Sequence, residues 1–169
     1  MALEAKIVGV TLKVVCKTDT FSDTPEDSGG STGSVIFEEC KVGEPKNCKL
    51  PKAQEERIVE NVTTQLATPP ASPRSITLSG SGPGEQFTSI TIETRDAERC
   101  SFFTGTFSIT GNTGTGCGFD TAIETFAFEH TLTCIAKGEK VKLGGNTVSF
   151  TLSATLKTST TEQWAILES

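Results

Sequence analysis

The sequence predicts an all-β protein, a disulfide-stapled antiparallel β-sandwich or barrel of about ten strands. Three observations carry that expectation. Thr, Val, Ile and Phe are abundant, whereas Ala, Leu and Met are scarce outside a few runs, a balance that favours strands over helices. Several stretches alternate apolar and polar residues with the two-residue period of a half-buried strand. Finally, six cysteines are spread along the 169 residues: Cys16, Cys40, Cys48, Cys100, Cys117 and Cys134. An even set of this kind reads as a framework of staples.

In chain order, Ile7 to Val15 is the first candidate strand. An acidic, glycine-containing loop with Asp19, Asp23, Glu26 and Asp27 follows, and Ser34 to Glu39 resumes the alternation. Pro51 to Leu66 is ambiguous. Ile58, Val59, Val62 and Leu66 fit a helical face, and Pro51 with Glu55 and Glu56 resembles a helix start. Yet Ile58, Val62 and Leu66 also share one face of a strand, and Val62-Thr63-Thr64 favours extended backbone, so a strand is expected from Arg57 onward. Thr68 to Pro73 opens a Pro/Gly-rich stretch at 67–84. It reads as a rigid crossover between sheets, because neither flank makes a complete core, and residues 1–169 are read as a single domain. Ser75 to Leu78, Phe87 to Thr94, Phe102 to Thr110, Ile123 to Glu129, Thr131 to Ile135, Thr147 to Leu156 and Gln163 to Leu167 complete the candidate strands. Leu143-Gly144-Gly145-Asn146-Thr147 has the composition of a tight hairpin.

On this scaffold the expected bridges are two local ones and one long one. Cys40 leaves a strand, Gly43-Glu44-Pro45 turns, and Cys48 follows at a distance a hairpin could close, in a loop whose cross-link is worth about 2.5 kcal/mol. Cys100 precedes the Phe102 strand and Cys117 lies in the glycine-rich return, which suits a second local bridge. Cys16 with Cys134 remains and would tie the two halves together. Zinc binding is disfavoured because no two close pairs such as CxxC exist, and the same absence argues against thiol redox catalysis.

The net charge of −6 argues against nucleic acid, which calls for a basic patch. Lys137, Lys140 and Lys142 form the densest basic cluster and read as a solvated turn and strand edge. No stretch approaches the ~20 apolar residues that cross a bilayer as a helix. Met1 to Val15 has two lysines and a glutamate, with no long apolar run or small-residue cleavage site, so a mature or trimmed, exported chain is the reading that reconciles it with the cysteines. Catalysis has little to stand on. His130, the single histidine, follows Glu129 on a strand and reads as a surface or sheet-edge imidazole; Glu93, Glu124 and Glu129 read as solvated carboxylates on polar strand faces. No GxSxG elbow is present. Asp19, Asp23 and Asp27 are hard oxygen donors in one loop and form a candidate calcium site without the EF-hand register, the solvated loop being preferred. Asn61-Val62-Thr63 matches a glycosylation acceptor. Thr-rich faces such as Thr88, Thr91 and Thr94 invite ice or glycan binding but lack the repeats for it.

Val14-Val15-Cys16-Lys17-Thr18, Gly33 to Cys40, Asn47-Cys48, Thr131 to Cys134, Lys142 to Asn146 and Trp164 together resemble a group of secreted, cysteine-paired, β-rich proteins of soil actinobacteria. That resemblance implies export and an all-β fold and supplies no catalytic residues. Three function classes are therefore expected, in this order. The first is a non-enzymatic extracellular or cell-surface structural protein, a filament subunit that adds a terminal strand, Ile7 to Val15 or Trp164 to Leu167, to a neighbour's sheet edge. The second is a monomeric glycan- or ligand-binding module, hampered by a single tryptophan and no tyrosine. A hydrolase ranks last. No cofactor is expected beyond the calcium candidate, and the expected partners are other copies or other surface proteins.

Overall fold

The computed structural model describes residues 1–7, 9–25, 30–66, 75–95, 100, 104–119, 125–136, 141–157 and 162–163. Among them the chain forms fourteen strands, antiparallel in every pairing, and two short helical turns. The all-β expectation holds, with more strands than expected because short segments not read as strands also pair, whereas of the expected Ile123 to Glu129 strand residues 125–128 belong to no strand and the strand there starts at Glu129. The chain opens with the hairpin β1 (Ala2–Ile7) and β2 (Val10–Val15), where the sequence suggested one strand. Gly9 has φ +83°, a conformation glycine adopts without cost, and it turns the chain between Ile7 and Val10. Leu3, Ala5, Leu12 and Val14 then share the buried face.

β3 (Thr18–Pro25) and β4 (Gly30–Glu38) follow, then β5 (Lys41–Glu44) and the two-residue β6 (Cys48–Lys49). The acidic segment is thus strand, not loop, as far as Pro25. From Val14 onward one register runs through the β2–β5 and β3–β4 pairs: Val14 faces Val42 and Val15 faces Lys41, and beyond the junction Thr18 faces Glu38 and Pro25 faces Ser31, whereas Lys13 faces Glu44 across a register shift. Cys16 and Cys40 fall opposite each other at the junction and form a disulfide. A helical turn α1 (Lys52–Glu56) precedes β7 (Arg57–Leu66), so both features of the ambiguous segment are present: the Pro51 start gives the turn, and the strand begins at Arg57. β8 (Ser75–Gly80) lies inside the expected 67–84 crossover, of which residues 67–74 are outside the described residues.

β9 (Gln86–Thr94), β10 (Gly105–Gly111), a 3₁₀ turn at Gly114–Gly116, β11 (Cys117–Phe119), β12 (Glu129–Ala136), β13 (Val141–Leu143) and β14 (Asn146–Lys157) complete the chain. Gly144 and Gly145 close the β13–β14 hairpin with φ of +54° and +84°, as the sequence suggests. The hydrogen-bonded order is β3-β4-β7-β8-β11-β12-β14-β13-β10-β9-β6, with β1 joined to β14 and β2, and β5 to β2. The path is open among the described residues, and β3 at one end packs beside β14 without a ladder. The β9–β10 ladder packs against β7 and β8, and the core lies on the inner faces, where Phe37, Leu78, Ile90, Ile92, Leu132 and Leu152 are buried. The expected donor strand Ile7 to Val15 is not free: β2 pairs with β1 on one side and β5 on the other. Trp164 to Leu167 lies outside the described residues.

All six cysteines are bridged, but the expected connectivity is overturned. The bridges are Cys16–Cys40, Cys48–Cys100 and Cys117–Cys134, each joining consecutive cysteines. The expected Cys40–Cys48 hairpin does not form because Lys41–Glu44 pairs with β2 and carries the chain away from Cys40. Cys117 and Cys134 are directly opposed on β11 and β12, which removes both from the pairings expected with Cys100 and Cys16. Cys48 faces Thr94 across the β6–β9 ladder, and the Thr94 hydroxyl accepts a bond from the Cys100 amide at 3.5 Å, so Cys100 is the cysteine within reach.

Candidate functional site

Alternation on β4 and β7 turns Val35, Phe37, Ile58 and Val62 inward, which leaves Thr32, Ser34, Asn61 and Thr63 on the outer face. Register then assembles them across strands. Ser22 faces Ser34 and Ser34 faces Asn61; in the next row Thr32 faces Thr63, and Thr63 faces Ser79. The Ser81 amide donates to the Asn61 carbonyl at 3.1 Å and brings a further hydroxyl alongside. The result is a shallow open trough lined by Ser22, Thr32, Ser34, Asn61 and Ser81, together with Gly33 and Val62. None of these side chains is ionisable. The trough can donate and accept hydrogen bonds to a neutral polar ligand, but it holds no group that moves a proton near neutral pH. Asn61, the first residue of the glycosylation-type triplet, is one of its exposed residues.

The ionisable residues singled out in the sequence are placed elsewhere. His130 is not a surface or edge imidazole: it is 1 % exposed on β12, on the same face as Leu132 and Cys134 and opposite Leu156 of β14. The reason is parity, since His130 is two residues from Leu132 and inherits the inward direction. Glu93 pairs with Lys49 across β6–β9, and Glu129 with Lys157 across β12–β14. These two strands share no ladder, and Glu124 lies outside the described residues. Lys142 is exposed on β13, whereas residues 137 and 140 are outside the described set.

Asp19 and Asp23 are positions of β3, and four residues along an extended strand span about 13 Å. The third calcium candidate, Asp27, lies outside the described residues. Among the described residues, no three His, Cys, Asp or Glu side chains are grouped so as to hold a metal ion.

One ionisable residue escaped the sequence reading. Glu60 is 2 % exposed on the inner face of β7, between Ile58 and Val62 in the alternation, and borders a small apolar chamber with Phe87, Ile109, Val141 and Phe150. The Ile58-x-Glu60-x-Val62 spacing was the available signal. Neither Glu60 nor His130 opens onto the trough, whose lining includes neither. Two large apolar side chains, Phe126 and Phe128, are instead exposed just before β12, at 61 % and 58 %. No described helix is long and apolar enough to cross a membrane. The chain matches no protein-family model, no curated protein and no solved structure, so its site is read from its own residues.

Proposed function

We propose that this chain is a non-enzymatic extracellular or cell-surface structural protein that assembles by strand addition. The observation that supports it most is the complete pairing of six cysteines within one antiparallel sheet. Bridges of this kind persist in oxidising compartments, and the resemblance to secreted, cysteine-paired proteins points the same way. A durable scaffold needs no reactive group, and the groups best suited to acid–base work, His130 and Glu60, are spent inside the core. Open strand edges give such a scaffold a route to association that reads backbone and not sequence.

Sedimentation and negative-stain imaging of the oxidised chain, together with immunogold labelling of native cells, test this reading. Polymers and surface label are expected. A monomer that persists at high concentration, with label confined to the cell interior, would overturn it. The hydroxyl-lined trough favours a second reading, a monomeric module for a neutral glycan. Binding on a glycan array that disappears in Ser34→Leu would support that module, and no signal above background would remove it.

A further inference from the structure

We propose that the trough is a lane for one neutral polysaccharide chain, held along its length across β3, β4 and β7 and not by a chain end. This inference rests on the second reading above, the glycan module, and names the form of ligand that its site takes. The direction of the lane comes from register. Ser22 faces Ser34 and Ser34 faces Asn61, and the first position after Gly80 sets Ser81 beside Asn61, so one polar row crosses four neighbouring segments. Thr32 facing Thr63 and Thr63 facing Ser79 make a second row, two residues away along each strand. The rows are thus about 6.8 Å apart, and the first is about 14 Å long at the usual strand spacing. Between them Gly33 faces Val62, and Val62 is buried, which leaves backbone as the floor. The space over this floor is about 380 Å³, the size of a small-molecule site.

The chemistry around the lane favours sugar rings. A third row, Ile36 facing Val59, borders the first on its other side, and Val59 is 39 % exposed. Polar and apolar surface therefore lie side by side. A sugar ring carries hydroxyls around its edge and C–H bonds on its faces, so it can bond to the hydroxyls and amide of the polar rows while it covers the apolar one. Along β4 and β7 the nearest charged positions on this face are Glu38 and Arg57, four residues or about 13 Å from Ser34 and Asn61. An ionic ligand would find no counter-charge within the rows. The first row ends in small exposed side chains, Ser22 and Ser81, past which a chain can continue. Neighbouring strands are rotated by roughly 20°, so the lane twists along its length and suits a single chain, not the flat face of a crystal.

Isothermal titration of the oxidised chain with neutral glucan, xylan and mannan oligosaccharides of increasing length tests the lane. At least one series should bind, with an affinity that rises about tenfold or more from the disaccharide to the length that fills the row and is flat beyond it. Asn61→Ala, in the middle of the row, should weaken the longest oligosaccharide of that series about fivefold. Ser22→Leu obstructs one end, so the plateau should arrive at a shorter oligosaccharide, with the urea unfolding midpoint unchanged. Affinity independent of length, or binding that both variants leave as it was, would overturn the lane. If a monosaccharide binds as tightly as its oligomers and Ser34→Leu abolishes that binding, the lane falls and the module reading stands. If no series binds, the lane and the module reading fall together and the structural role is untouched.

Discussion

Replacing Cys48 and Cys100 with alanine is expected to destabilise the fold more than removing either other bridge. The bridge spans a sequence separation of 52 residues, against 24 for Cys16–Cys40 and 17 for Cys117–Cys134. In the chain-entropy account those loops are worth about 4, 3.5 and 3 kcal/mol respectively. Local structure widens the gap. β6 has only Cys48 and Lys49 with which to hold β9, whereas Cys117 and Cys134 sit in a ladder that also pairs Gly118 with Thr133 and Phe119 with Leu132. A loss of about 4 kcal/mol is a large share of the 5–15 kcal/mol typical of a folded domain. At this chain length it should lower Tm by roughly 8–16 °C. Equilibrium urea unfolding of the three double-alanine variants, followed by far-UV circular dichroism without reductant, gives the comparison. Equal losses in all three, or a larger loss on removing Cys117–Cys134, would refute the reasoning.

Three further outcomes follow from the packing. Gly80→Ala would place a Cβ 2.3 Å from the Gln86 carbonyl carbon and the Glu85 carbonyl oxygen, both backbone atoms, so the chain must shift; a loss of about 3 kcal/mol or more in urea unfolding is expected, and a neutral variant would contradict the close approach. Glu60→Leu replaces a carboxylate among Phe87, Ile109, Val141 and Phe150 with an apolar side chain of similar size. Its stability at pH 7 should be unchanged or higher by about 1 kcal/mol, and a loss above about 2 kcal/mol would show that the carboxylate's own contacts outweigh its desolvation. Phe126→Ser with Phe128→Ser should leave stability within about 0.5 kcal/mol, because little buried area is lost; a cooperative drop in the unfolding midpoint would mean these rings are covered in solution.

Local pattern made part of this fold readable. β14 alternates cleanly and β9 does so from Ile90 onward, the Gly144-Gly145 pair marks its hairpin, and the β-branched run after Arg57 outweighs the helical spacing. β3 was hidden because Thr18 to Pro25 offers one apolar residue, Phe21, and is a strand chiefly through its ladder to β4. Cysteine pairing was hidden for a related reason: Cys117 meets Cys134 through the register of β11 on β12, and a register between separate strands leaves no local trace. The trough combines positions on β3, β4 and β7, together with Ser81 beyond β8, each an ordinary polar strand or turn residue in isolation. His130 and Glu60 were legible in part, since each shares parity with apolar neighbours.

Disulfide connectivity tests the account most directly, because the pairing of consecutive cysteines depends on the registers of β2 with β5, β6 with β9 and β11 with β12 together. Non-reducing peptide mapping of the native chain should recover Cys16 linked to Cys40, Cys48 to Cys100 and Cys117 to Cys134, with no free thiol. A peptide joining Cys40 to Cys48 or Cys16 to Cys134, or a stoichiometric free thiol, would contradict it.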